Sequence, residues 1–138
     1  MLLKPETILR GLVGEIIARI EKRGLSIASL KIVLVTREQA EKLYMMHRGK
    51  PFYESLIEHI ISGPIVAIVV EGLNAVRVMR QMIGATNPCE ADPGTIRGDY
   101  GLTTTRNVIH AADSLENAER EIKIFFKSEE IISSQKPA

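Results

Sequence analysis

Apolar residues along this chain recur at two different spacings, and the alternation between the spacings predicts its elements. Leu12, Ile16 and Ile20, with Val13 and Ile17 beside them and Glu15, Arg19 and Lys22 opposite, trace one face of a helix. Gly24 stops it, and Leu25 to Thr36 is rich in β-branched residues with partial alternation, which predicts a long strand. Arg37 to Met46 reads as a short helix. Phe52, Leu56 and Ile60 beside Tyr53, Ile57 and Ile61 mark another, ending at Ser62-Gly63-Pro64. Ile65 to Val70 is an unbroken apolar run, the pattern of a strand covered on both faces. Asn74 is placed to cap a helix running through Ile83 with Val76, Met79 and Ile83 inward. Val108 and Ile109 read as a short strand, and Asp113 with Glu116 three residues on reads as a helix N-cap with its capping partner. Leu115, Ala118, Ile122 and Phe125 line the helix that follows, and Leu2-Leu3 looks like the end of a first strand.

The order strand, helix, strand, helices, strand, helix, strand, helix fits an α+β fold. The expected form is a ferredoxin-like α/β sandwich with a four-stranded antiparallel sheet covered by helices. Gly84 to Arg106 breaks the pattern: it holds four glycines and two prolines with little periodicity. A loop of that length inside a compact domain is either functional or a missed element. It carries Arg97 between Gly94 and Gly98, where glycines permit close backbone approach to a phosphate and arginine offers forked donors. A solvated, charged loop fits the same residues. Arg97-Gly98-Asp99 also spells an adhesion tripeptide, read as chance in a chain with no secretion signal.

Composition narrows the setting without naming a function. A chain of 138 residues is one domain's worth, expected to span 1–138. With 18 basic and 17 acidic residues the formal charge is +1, too weak a field to argue for nucleic acid or a membrane surface. Cys89 is the one cysteine, so no internal disulfide forms. No apolar run reaches the roughly 20 residues of a membrane helix. The expected compartment is the cytoplasm, and Ser133 to Ala138 is expected to be a loose tail.

Candidate chemistry centres on Asn107-Val108-Ile109-His110-Ala111-Ala112-Asp113-Ser114, where a β-type run delivers a histidine to the start of a helix. Imidazole is largely neutral and nucleophilic near pH 7, and helix-start donors attract phosphate, so covalent phosphoryl transfer is one reading. A hydrogen-bonded structural histidine is the other, and the octapeptide alone favours it.

Two further segments change that balance: Lys4-Pro5-Glu6-Thr7 followed by Arg10-Gly11-Leu12-Val13-Gly14-Glu15-Ile16, and Asn87-Pro88-Cys89-Glu90-Ala91-Asp92-Pro93-Gly94-Thr95-Ile96-Arg97-Gly98-Asp99. With Asn107 to Ser114 they closely resemble the nucleoside diphosphate kinase family, in the family's order and from about residue 2 to the C-terminal region. The resemblance implies a ping-pong cycle in which the γ-phosphate of a nucleoside triphosphate passes to His110 and then to a nucleoside diphosphate. It implies phosphate contacts from Arg80, Thr86 and Arg97, ribose contacts from Lys4 and Asn107, and a base clamp from Phe52 and Leu56. Tyr44 matches a tyrosine near the histidine, and Glu121 a glutamate that orients the imidazole. Mg2+ is expected to arrive on the nucleotide phosphates rather than in a protein cage, and a homo-oligomer, hexamer or tetramer, is implied. Each role has a plainer competitor: Arg80 complements a helix dipole, and Phe52 staples the start of its helix. His47 and His59 match no catalytic position and read as structural or surface residues.

Two positions depart from the family. A serine common two residues after the histidine is Ala112 here, and only Met1-Leu2-Leu3 precedes Lys4. The first strand is therefore expected to be short and to lose interstrand hydrogen bonds. A nucleotide-binding regulatory module on the same fold is the competing function, against which retention of Lys4, Arg80, Thr86, Arg97, Asn107, His110 and Glu121 together argues for an enzyme.

Overall fold

The computed structural model describes residues 1–134, and of the expected tail Gln135 to Ala138 lies outside that range. Four antiparallel strands form one sheet in the order β2-β3-β1-β4: β1 (Leu2–Leu3), β2 (Ser26–Val33), β3 (Ile65–Glu71) and β4 (Ile109–His110). Helices α1 (Pro5–Leu9) and α2 (Val13–Lys22) join β1 to β2, and α3 (Arg37–Leu43) and α4 (Tyr53–Ile60) join β2 to β3. Helices α5 (Ala75–Ile83) and α6 (Ile96–Tyr100) lie between β3 and β4, and α7 (Leu115–Phe125) follows. This is the ferredoxin-like arrangement expected from the element order.

The unbroken apolar run in β3 has the predicted cause. Ile65, Ala67 and Val69 pack with Ala40, Leu43, Ile57, Ile60 and Phe125 on one face, while Val66 and Ile68 pack with Ile16, Ile20, Met79 and Ile83 on the other. Successive side chains of a strand point to opposite faces, so a strand between two helical layers is apolar throughout. β1 divides in the same way, with Leu2 in the first cluster and Leu3 in the second.

β1 lies in the middle of the sheet although only two of its residues are in register with each neighbour: Leu2 with Ala67 and His110, Leu3 with Val66 and Ile109. Met1 adds two bonds, its amine donating to Ile68 O at 3.0 Å and its carbonyl accepting from Ile68 N at 2.9 Å. Beyond it a small cavity, about 80 Å³, separates Ile68 to Val70 from Ala111 and Ala112. β1 is thus short, as expected from the sequence.

Several local expectations are corrected. The strand predicted to reach Thr36 ends at Val33, because Thr36 caps α3: its hydroxyl accepts from Gln39 N, and Gln39's side chain accepts from Thr36 N. The helix predicted to reach Met46 ends at Leu43 and gives way to a 3₁₀ turn, Met45–His47. Asn74 precedes its helix without a side-chain cap; its φ of 55° is the left-handed conformation that asparagine tolerates. The cap of α7 is Ser114, whose hydroxyl accepts from Asn117 N, while Asp113 accepts from the Asn117 side chain. Leu115 at the first turn is 68% exposed rather than inward. α1 went unread because five residues that begin with a proline show no repeat; Pro5 at its first position lacks the amide that a helix start leaves unpaired. Within the expected tail, Ser133 and Ser134 both bond Glu71. Among the described residues no helix is long and apolar enough to cross a membrane.

Candidate active site

The long segment Gly84 to Arg106 is not a bare loop: it contains a 3₁₀ turn, Pro88–Glu90, and α6. Thr95 caps α6, accepting from Gly98 N at 3.0 Å and donating to Asp92 O at 2.6 Å. Gly98 is required by this knot, since a Cβ there would collide with the Asp92 carbonyl oxygen and crowd Thr95 Oγ1. The glycine thus serves the segment's own packing. The result is a rigid mount for Arg97, which is 5% exposed and donates to Gly84 O at 3.2 Å and Ile109 O at 2.7 Å. Its Nε has no partner among the described residues. Burial, with Arg80 adding repulsion, lowers its pKa to about 10.

β4 delivers His110 to the same place. The expected strand Val108-Ile109 is displaced by one residue, because Val108 has φ 79° and forms a turn before the ladder. His110 Nε2 meets Glu121 Oε1 on α7 at 2.5 Å. The other ring nitrogen, Nδ1, has no hydrogen-bond partner among the described residues. Burial lowers the imidazole pKa further than Glu121 raises it, so the ring is neutral at pH 7. Tyr44, 4% exposed, sets its ring edge-on to His110 with centroids 5.7 Å apart. Burial, reinforced by Glu121 and Glu6, pushes its phenol up, so it stays protonated and able to donate.

Lys4, between β1 and α1, is 3% exposed, and its Nζ donates to Thr105 O at 3.0 Å. Burial lowers its pKa to about 8 despite the nearby Glu6, and Arg97 lowers it too. Asn107 is 2% exposed; its amide donates to Thr86 O at 3.0 Å and its Oδ1 is an acceptor with no partner among the described residues. Phe52, just before α4, leaves 45% of its surface open, with Leu56 one turn on.

All ten residues singled out in the sequence, Lys4, Tyr44, Phe52, Leu56, Arg80, Thr86, Arg97, Asn107, His110 and Glu121, line one cleft of about 450 Å³. His47, which matches no catalytic position, lines it too. Its ring stands 5.3 Å from that of Phe52 and 6.3 Å from that of Tyr44, with Nδ1 3.3 Å from Lys50 Nζ. Arg120 also reaches the cleft while donating to Lys42 O at 2.8 Å. The signal for both was position: His47 lies three residues after Tyr44 beyond a helix end, and Arg120 adjoins Glu121. Ala112 lines both this cleft and the smaller cavity behind it. Chemically the cleft joins an apolar, aromatic mouth to a cationic floor around a neutral imidazole with one free nitrogen.

Comparison with known proteins gives one answer. Residues 1–131 match the family model for nucleoside diphosphate kinase. The chain is 54% identical over 136 residues to the nucleoside diphosphate kinase of Archaeoglobus fulgidus, covering 99% of this chain and 90% of that one. It is 56% identical over 132 residues to that of Staphylothermus marinus, covering 96% and 94%. Among solved structures, a halophilic nucleoside diphosphate kinase from Halobacterium salinarum in complex with CDP superposes with a TM-score of 0.93 at 40% identity, covering 98% of this chain and 90% of that one. The enzyme of Aquifex aeolicus superposes with a TM-score of 0.92 at 39% identity, covering 95% of each.

Proposed function

This chain belongs to the nucleoside diphosphate kinase family, and from that premise we propose that it carries the transferred phosphoryl group on Nδ1 of His110. Its activity is the transfer of the γ-phosphate of a nucleoside triphosphate to a nucleoside diphosphate. The observation that carries the assignment is the pairing of His110 Nε2 with Glu121, which fixes the ring proton on Nε2 and leaves the Nδ1 lone pair for attack. In the first half-reaction Nδ1 bonds to the γ-phosphorus as the bond to the β–γ bridging oxygen breaks, and the diphosphate leaves with that electron pair. The imidazolium so formed keeps its Nε2 proton against the Glu121 carboxylate. In the second, a terminal oxygen of another diphosphate attacks the phosphorus and returns neutral imidazole.

Such a transfer passes through a loose, in-line transition state whose cost is positioning and charge. Arg80, Arg97, Lys4 and the Thr86 hydroxyl answer the charge. Tyr44 donates its phenolic proton near the histidine. The unpartnered Oδ1 of Asn107 suits a ribose hydroxyl, with Lys4 as its companion donor. Phe52 and Leu56 hold the base by stacking and apolar contact, which read no hydrogen-bond pattern. Mg2+ carried in on the phosphates would supply charge neutralisation there, alongside the cationic side chains Lys4, Arg80 and Arg97 of the cleft.

The proposal takes residues 1–138 as one catalytic domain of a cytoplasmic enzyme, supported by both core clusters packing on one sheet. Assembly into a homo-oligomer, hexamer or tetramer, is supported by the apolar side chains exposed on the outer strand β2 and just after it, where Leu30, Ile32 and Leu34 are 44%, 70% and 72% exposed. The test is incubation with ATP-Mg labelled at the γ position, alone and then with a second diphosphate. An acid-labile label on the parent, absent from His110→Ala together with nucleotide exchange, is the expected result; exchange at the parent rate by His110→Ala sinks the assignment.

A further inference from the structure

The residue between the ribose-side asparagine and the histidine strand has a backbone that valine adopts only under constraint. Val108 has φ 79°, and Ile109 N donates to Asn107 O at 2.9 Å. That closes a three-residue γ-turn of the positive-φ kind, the strained member of its class, around a β-branched residue. Strain of this sort persists only where the surroundings over-determine it. Here they come from the start of the chain: Lys4 N and Thr7 Oγ1 donate to Val108 O at 2.8 and 2.7 Å, and Glu6 Oε2 accepts from Val108 N at 3.3 Å.

Glu6 is 8% exposed, and its second oxygen pairs with His59 Nε2 of α4 at 2.8 Å. Burial raises its carboxyl, but hydrogen bonds from His59, its own amide and that of Val108 outweigh burial and hold it below the ordinary range. Glu6, His59 and Val108 all lie outside the cleft lining. A buried carboxylate with no place in the cleft, tethered by a histidine and aimed at a strained amide, has a task other than chemistry. We propose that Glu6, held by His59, is a positioning residue that fixes the Val108 γ-turn and through it the setting of His110 and Asn107 on either side. The proposal rests on His110 being the phosphorylated residue.

The test is a double-mutant cycle of Glu6→Ala and Val108→Gly, read by the His110 phosphorylation rate at saturating ATP-Mg and by melting temperature. Glycine takes positive φ without strain, so in its background the clamp is dispensable. Glu6→Ala alone is expected to slow phosphorylation by about ten- to a hundredfold, the scale of a small misplacement of a reacting group. The loss should be severalfold smaller in the Val108→Gly background, and smaller for Glu6→Gln, which keeps an acceptor for the amide. A lower melting temperature with an unchanged rate for the folded protein, or equal losses in both backgrounds, overturns the proposal. If Glu6→Ala does not fold, His59→Phe keeps the bulk and removes the tether, and phosphorylation at the parent rate again overturns it. A parent chain that takes no phosphate on His110 strikes the nucleophile assignment itself, and this proposal with it.

Discussion

In the proposed mechanism His110 attacks through the nitrogen that Glu121 leaves open, and that makes Glu121 and Ala112 separable probes. Glu121→Gln keeps a hydrogen-bonding atom but loses the charge that balances the phosphorylated ring. Phosphorylation should slow by about ten- to a hundredfold, the scale on which partners that orient histidine ligands act, with diphosphate affinity nearly unchanged. A parent rate makes Glu121 a structural helix residue. Ala112→Ser should leave the rate intact and stabilise the fold by at most the ~1 kcal/mol of an ordinary hydrogen bond, measured by denaturant unfolding. Titration follows the same geometry. The attacking form is neutral imidazole, and burial holds His110 below its ordinary 6.5, so the acid limb of kcat/KM should fall below that value. The alkaline limb should follow Lys4 losing its charge near pH 8. An acid limb above 6.5 contradicts the burial of the ring. Most of these residues were legible in the sequence, but through resemblance rather than spacing. Val108 was not, because a β-branched residue beside Ile109 signals a strand and nothing local announces a turn held from residues 4 to 7. His47 was not, because its neighbours meet only once the chain turns at Tyr44.

Helices and strands were legible where burial imposes a period and illegible where something else holds the element. α2, α4 and β3 each bury a regular set of apolar residues, and the sequence shows that set directly. α1 and α6 have five residues apiece, too few for a repeat, and are held by a proline start and by the Thr95 knot. The knot gives a prediction of its own. Gly98→Ala forces a Cβ against the Asp92 carbonyl, and overpacking of that kind costs about 1–3 kcal/mol. Because Arg97 is the preceding residue, affinity for a diphosphate should fall along with stability. Unfolding within about 0.5 kcal/mol of the parent would mean that the segment gives way cheaply. The cap of α7 was misplaced by one residue for a related reason: Asp113 and Ser114 are both good caps, and the choice is made by where β4 leaves the chain, with Ser114 bonding the Asn117 amide and Asp113 its side chain.

On the scale of the molecule, the proposed function has the cleft read phosphates closely and bases loosely. Its mouth offers Phe52 and Leu56, and stacking differences among bases amount to a few kcal/mol at most. Rates for adenine, guanine, cytosine and uracil diphosphates should therefore lie within about two orders of magnitude of one another, measured as kcat/KM. Strict preference for one base would contradict recognition by stacking and apolar contact alone. The fold that builds the cleft also imposes a schedule. β1 is the first strand to be made, yet its sheet partners are β3 and β4, so Leu3 meets Val66 and then Ile109 only after most of the chain exists. At about 5–20 residues per second, roughly 100 residues of synthesis separate the two ends, a delay of roughly 5–20 s. Throughout that interval two leucines destined for opposite layers of the core lack their partners on β4, although α2 and β3 are made sooner. The clamp on Val108 and the ribose-side lysine come from the same early segment. The segment made first thus waits on the strand made last, and the α7 carboxylate that pairs with His110 joins them only after that.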